Sequence, residues 1–226
     1  MSPGTHSNPT ARRTGRPPRL TREEVLAIAR RIGARQGVEG LTMRRLAGEL
    51  GVMPNALYTY FPDKASILDA VLDDLVGDVE RPRTSVSWRN GLIALMRSYR
   101  ALLLTQPGLI ALTVSRPMVG PNAVRLREDM LTLLRRGVSS DAYAVSAYFA
   151  LFAYTTGFVV FETGRAPGTA DTSQRARTYE LHAGLPDEDF PTTRALARRL
   201  RKRPGDVEFM RGLQKLIAGF AGCRDA

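Results

Sequence analysis

The sequence is poor in the residues that most often carry chemistry. It has one cysteine, Cys223, in 226 residues, so no internal disulfide can form and a disulfide-built secreted scaffold is excluded. It has two histidines, and neither His6 nor His182 has a neighbour at metal-ligand spacing. No GxSxG, GxGxxG, P-loop or HExxH sequence occurs, so no catalysis, metal or cofactor is expected. The opening MSPGTHSNPTARRTGRPPR lacks the apolar core of a signal peptide, and a cytoplasmic location is expected. There is neither a strand-like alternation nor an internal repeat.

Acidic residues are also short, 22 against 33 basic, which gives a net charge of +11. A polyanion is the economical partner for such a chain. The imbalance is concentrated: residues 1–60 carry ten Arg and four Glu, a net +6, whereas the other 166 positions carry +5. The anion-binding surface is therefore expected at the N-terminal end. A hydrophobic content of 43% is that of a folded globular protein.

Residues 1–19, rich in Pro, Gly, Ser, Thr and Arg, cannot bury enough apolar surface to order themselves and read as a flexible basic arm. Thr21-Arg-Glu-Glu24 is a capping-box pattern, and Val25, Ile28, Ala29 and Ile32 make one helical face ahead of Gly37 and Gly40. Thr42 can cap a second helix with Leu46, Ala47 and Leu50 inward, and Gly51 suits the left-handed turn that ends it. Pro54 opens a third helix. Pro62 limits that helix to about Phe61, too short for stability in isolation. Asp63 caps a long apolar stem, Ile67 to Val79. Further helical patterns cover 87–105, 109–115, 121–136, 140–163, 192–202 and 205–222, and 165–190 reads as a long loop.

A glycine turn between two helices, the second propped by packing and polar outside, is the sequence form of a helix-turn-helix, whose second helix enters the DNA major groove. Leu57 and Phe61 would pack on Leu46 and Leu50. That leaves Pro54, Asn55, Ala56, Tyr58, Thr59 and Tyr60 for the outer face. A solvated helical bundle is the plainer alternative, against which the cap, glycine, proline and charge all weigh.

Residues 22–80, with GLTMRRLAGELGV and ALYTYFPDKASILDAV, closely resemble the DNA-binding domain of the TetR family of transcriptional regulators. The resemblance implies an all-α fold: an N-terminal three-helix DNA-binding domain with a helix-turn-helix, joined by a long fourth helix to a larger helical ligand-binding and dimerisation domain. It places the arm at 1–19, the DNA-binding domain at 20–66 and the effector-binding and dimerisation domain at 67–226. Thr42, Arg44, Tyr58, Tyr60 and Lys64 become expected contacts to the DNA backbone, and Met43, Pro54, Asn55, Ala56 and Thr59 the base-facing set. Met53 stands where the family often has a capping residue. Gly15-Arg16-Pro17 resembles an AT-hook core, so Arg16 is a candidate for the minor groove; a solubilising tail is the equal alternative.

Ala142 to Phe161 is a run without charge, long enough to span a bilayer. Its Ser, Thr, Gly and Tyr content argues instead for burial against a second subunit, and no membrane partner is expected. SRPMVGPNAV and LLRRGVSSDAYAVSAY resemble the C-terminal domain of the tetracycline repressor branch. This implies a homodimer through about 140–163 and 205–222, a palindromic double-stranded operator and a small organic effector. A histidine that helps bind a metal-chelated drug in that branch is replaced here by Leu112. Effector-lining candidates by position are Glu80, Tyr99, Ser115, Glu128 and Tyr154. The effector is expected to be uncharged or weakly polar, or cationic if Glu80 or Glu128 faces inward. The chain thus reads as a repressor released from its operator by a small molecule. The alternatives are a ligand-independent or architectural DNA-binding protein, and a carrier or enzyme that has kept the fold.

Overall fold

The first helix begins where its cap dictates. The structure, a computed structural model, describes residues 20–83, 85–163, 172–202 and 204–221; Arg16 and Cys223 lie outside them. In α1 (Arg22–Gln36) the Thr21 hydroxyl accepts from the Glu24 N–H at 3.1 Å, and the Glu24 carboxylate accepts from the Thr21 N–H at 2.8 Å. Two of the four unpaired N–H groups at that end are thereby satisfied. In α2 (Met43–Leu50) the Thr42 hydroxyl accepts from Arg45 at 3.2 Å, and Gly51 closes the helix at φ 66° and ψ 28°, a conformation that favours glycine.

The third helix is shorter than the sequence suggests. Instead of running to Phe61, α3 stops at Leu57 (Pro54–Leu57), and the amides of Tyr60 and Phe61 both donate to the Leu57 carbonyl at 2.9 Å. Phe61 leaves the helical path to bury its ring, and Tyr60 turns its hydroxyl onto the Leu20 carbonyl. Arg22 completes this lock by donating to the Tyr60 carbonyl at 2.9 Å with its guanidinium over the Phe61 ring. One helical turn does not hold itself together. Burial of Leu57 and Phe61 at 0% exposure, worth about 1.5–3 kcal/mol each, does so instead.

The stem, α4 (Lys64–Gly77), is capped by Asp63, which accepts from the Ser66 N–H at 2.7 Å. The body follows: α5 (Trp88–Thr105), a 3-10 turn at Pro107–Leu109, α6 (Ile110–Ser115), α7 (Pro121–Arg135) and α8 (Asp141–Thr163). Ser140 caps α8 by accepting from Tyr143 at 3.2 Å. A second departure from expectation lies in 165–190, where α9 (Thr172–Ala183) forms in place of a continuous loop. Its periodicity is weak because it packs chiefly on α10 (Pro191–Leu200) rather than on the body. The last helix, α11 (Asp206–Phe220), lies against α8 and α5.

One apolar cluster runs without a break from Val25 in α1 to Phe220 in α11. At the join of head and body, α1 meets the α5–α6 corner so closely that a Cβ on Gly108 would fall within 3.0 Å of the Gly33 carbonyl oxygen and at 3.0 Å from that of Ala34. Inside the body Arg100 is 8% exposed. It pairs with Glu162 at 2.6 and 2.9 Å and with Asp206 at 2.9 Å, and it lies over the Phe209 ring. The Glu162 hydrogen bonds outweigh burial, which opposes the charge, and hold the Arg100 pKa above its ordinary value.

Candidate nucleic-acid interface and effector region

Thr42, Arg44 and Arg45 are exposed at the start of α2, with Met43 half-buried between them. On and after α3, Asn55, Tyr58 and Thr59 are exposed, Pro54 and Ala56 are half-buried, and Met53 is 76% exposed with no side-chain cap. Lys64 is half-buried at the first position of α4. The Gly51 turn brings α3 against α2, and Leu46, Ala47 and Leu57 are buried as the two pack together. Tyr60 departs from the expected set: it is half-buried and its hydroxyl fixes Leu20, so it positions the helix-turn-helix instead of facing a phosphate. Arg45, unremarked in the sequence, joins the exposed set. The residue after an exposed Arg44 at a helix start was a legible signal.

Behind this surface α4 is gripped along its length. At its N-terminal end Arg116 pairs with Asp69 and donates to the Ala65 carbonyl at 3.1 Å. In the middle Asp73 accepts from the Ala123 N–H at 2.9 Å, and its carbonyl accepts from Asn122 at 3.2 Å. Near its C-terminal end Arg30 of α1 joins Asp74, Asp78 and Gln106. Burial opposes the charge on Arg30, but Asp78 and Asp74 outweigh it and raise its pKa; the Asp69 hydrogen bond raises that of Arg116. A groove of about 430 Å³ between α1, α4 and the α6–α7 loop runs beside these pairs, lined in part by Leu26, Asp69, Pro117 and Asn122.

The five positions expected to line an effector site are not brought together. Glu80, Ser115 and Glu128 are exposed; the Glu80 N–H bonds the Ser98 hydroxyl at 2.7 Å, and the Ser115 hydroxyl turns back onto the Ala111 carbonyl at 2.7 Å. Tyr154 donates to the Phe209 carbonyl at 2.8 Å, which ties α8 to α11. Tyr99 alone lies in the middle of the body, fully buried, its pKa pushed up by burial. Position in a pattern located the helix for each of these residues, but helix rotation decided the direction. With both glutamates outside, the condition for a cationic effector is not met.

A family model described as "Bacterial regulatory proteins, tetR family" matches residues 25–71, and one described as "Tetracyclin repressor-like, C-terminal domain" matches residues 81–223. The chain belongs to the tetR family of bacterial regulatory proteins. As a member of the tetR family it is a DNA-binding transcriptional regulator. It is 34% identical over 220 residues to the HTH-type transcriptional repressor DrrR1 of Streptomyces coeruleorubidus, covering 93% of this chain and 81% of that one. It is 32% identical over 189 residues to the tetracycline repressor protein class A from transposon 1721 of Escherichia coli, covering 82% and 83%. Among solved structures it resembles the Streptomyces coelicolor TetR family protein ActR in complex with actinorhodin, with a TM-score of 0.81, 29% identity and coverage of 90% and 99%. It also resembles BioQ with its double-stranded DNA operator, with a TM-score of 0.62, 25% identity and coverage of 90% and 99%.

Proposed function

We propose that two copies of this chain repress transcription from a palindromic operator and release it when a small organic molecule enters the helical body. The reading assigns DNA contact to the head, residues 20–66, and effector binding and dimerisation to residues 67–226, in the cytoplasm. The observation that carries it is the triple grip on α4. Asp69, Asp73 and the Asp74–Asp78 pair tie the helix to Arg116, Ala123 and Arg30. A ligand that shifts α6 or the start of α7 must move α4 with it, and α4 begins at Lys64, directly after the short segment 58–63 that follows α3. Effector and operator are then reciprocally coupled.

Dimerisation is supported by an apolar face that the protomer leaves open. On α8, Val145, Phe149 and Phe161 are 45, 63 and 68% exposed, and Val207 on α11 is 62% exposed. Gly157 has no atom within 4 Å of where a Cβ would stand, so a second helix has room to approach. A two-fold dimer matches paired half-sites about one DNA turn apart. The same α8 is the one helix among the described residues long and apolar enough to cross a membrane. Burial against its own copy accounts for that composition.

The test is selection of genomic fragments at near-physiological salt, followed by release assays with small molecules. Actinorhodin and tetracycline head the panel, since ActR is described with the first and several relatives are named for the second. A palindromic site bound about a thousandfold above a scrambled control, and released by one of the compounds, is the expected result. Specific binding that no compound alters would favour the ligand-independent regulator, and binding that tracked only salt and length the architectural protein.

A further inference from the structure

In the middle of the body four side chains, Thr156, Tyr99, Phe152 and Tyr148, form a continuous ladder. The Tyr99 hydroxyl lies 3.4 Å from that of Thr156. The Tyr99 ring meets Phe152 edge-on at 5.1 Å, and Phe152 meets Tyr148 at 5.0 Å. The ladder ends on a cation: Arg127 of α7 approaches the Tyr148 hydroxyl at 3.4 Å and donates to the Met118 carbonyl at 2.6 Å. Arg127 is half-buried, yet both of these partners are neutral, and it takes part in no ion pair among the described residues. A guanidinium withdrawn from water beside uncharged acceptors is short of the carboxylate that usually accompanies it. Its planar fork is suited to hold one.

We infer that the effector is a planar aromatic anion, its carboxylate or phenolate held by Arg127 and its rings inserted along Tyr148, Phe152 and Tyr99. This rests on the effector-responsive reading above and names the ligand class for it. Apolar walls with a few convergent polar groups are what a small-molecule site requires, and the tilted and edge-on aromatic contacts here are ones a flat ring system can replace. The far end of the ligand meets the hydroxyls of Tyr99 and Thr156. The same arginine links the site to the head. The Met118 carbonyl that Arg127 holds lies two residues from Arg116, which holds Asp69 of α4. An anion that takes over the guanidinium frees the Met118 carbonyl, loosens the α6–α7 loop and weakens the grip on α4.

Calorimetry on the full chain tests this with anthraquinone-2-carboxylate, its carboxamide and the 2-aminomethyl analogue as probes. The wild type is expected to bind the carboxylate at least tenfold tighter than either of the others. Arg127→Gln should lose that preference and, because it also frees the Met118 carbonyl, should bind operator more weakly than the wild type, and Arg127→Lys should keep the sign of the preference. Equal affinity for carboxylate and carboxamide, a preference that survives in Arg127→Gln, or no binding of any of the three would overturn the proposal. Should Arg127→Gln fail to fold, the wild-type series and Arg127→Lys still decide. Operator release by a neutral or cationic compound, with Arg127→Gln unaffected, would refute the ligand class and leave the repressor reading standing. Absence of a specific operator would sink that reading itself.

Discussion

Replacing Gly108 by alanine should separate the DNA-reading head from its support. A Cβ there would stand within 3.0 Å of the Gly33 carbonyl oxygen, at 3.0 Å from the Ala34 oxygen and at 3.2 Å from the Gly37 nitrogen. All three are backbone atoms of α1 and its end, so no side chain can rotate away; the helix itself must shift. Overpacking of this kind costs about 1–3 kcal/mol, and a rigid neighbour places the cost in the upper part, about 2–3 kcal/mol. For a chain of this length that lowers Tm by about 4–12 °C at fixed protein concentration. Operator affinity should fall as well, because α2 and α3 pack on one another beside α1 and move with it. Gly48→Ala is the reference: Gly48 is exposed in the interior of α2 with nothing within 4 Å of a Cβ, so alanine should stabilise by about 0.5–1 kcal/mol. Both variants are read by thermal unfolding and by operator titration. A Gly108→Ala protein that melts within a degree of wild type would refute the packing argument.

Arg100→Met removes the guanidinium from Glu162, whose side chain is only 18% exposed, and should cost about 3 kcal/mol in chemical denaturation, with Arg100→Lys intermediate. The Ser66 N–H holds the Asp63 carboxylate below its ordinary pKa of 3.8. Its contribution to stability is therefore present at neutral pH and is lost as pH falls through that value towards the lower folded pKa; Asp63→Asn should flatten this part of a stability-versus-pH curve. Arg44→Ala should weaken binding to all DNA sequences alike and reduce the salt slope by about one, whereas Asn55→Ala should cost about 1–3 kcal/mol and relax preference at one base position. Phe149→Glu, on the open face of α8, should give a monomer by light scattering without lowering helix content; a dimer that persisted would remove α8 from the interface.

Local signals alone specified the start of nearly every helix of the head. Thr21, Thr42 and Asp63 cap because an oxygen at that spacing can reach only the amides just ahead of it, and Gly51 turns because its φ of 66° favours a residue without a Cβ. The charge excess at the N-terminal end and the apolar stripe of the stem were legible for the same reason: each is a property of residues close in sequence. What needed the tertiary structure was direction. Tyr60 and Tyr58 are two residues apart and read alike, yet one bonds Leu20 and the other stands 51% exposed, because only the packing of Phe61 settles which way the chain turns after Leu57. Helix α9 was illegible because its own apolar pattern is weak and it packs chiefly on α10 rather than on the body. Glu128 and Arg127 are adjacent on α7, and a rotation of about 100° per residue puts the acid in water and the base between Met118 and Tyr148. That rotation is set by Leu126, Met130 and Leu133 seating in the core, a long-range packing event on which the charge of the candidate effector site depends.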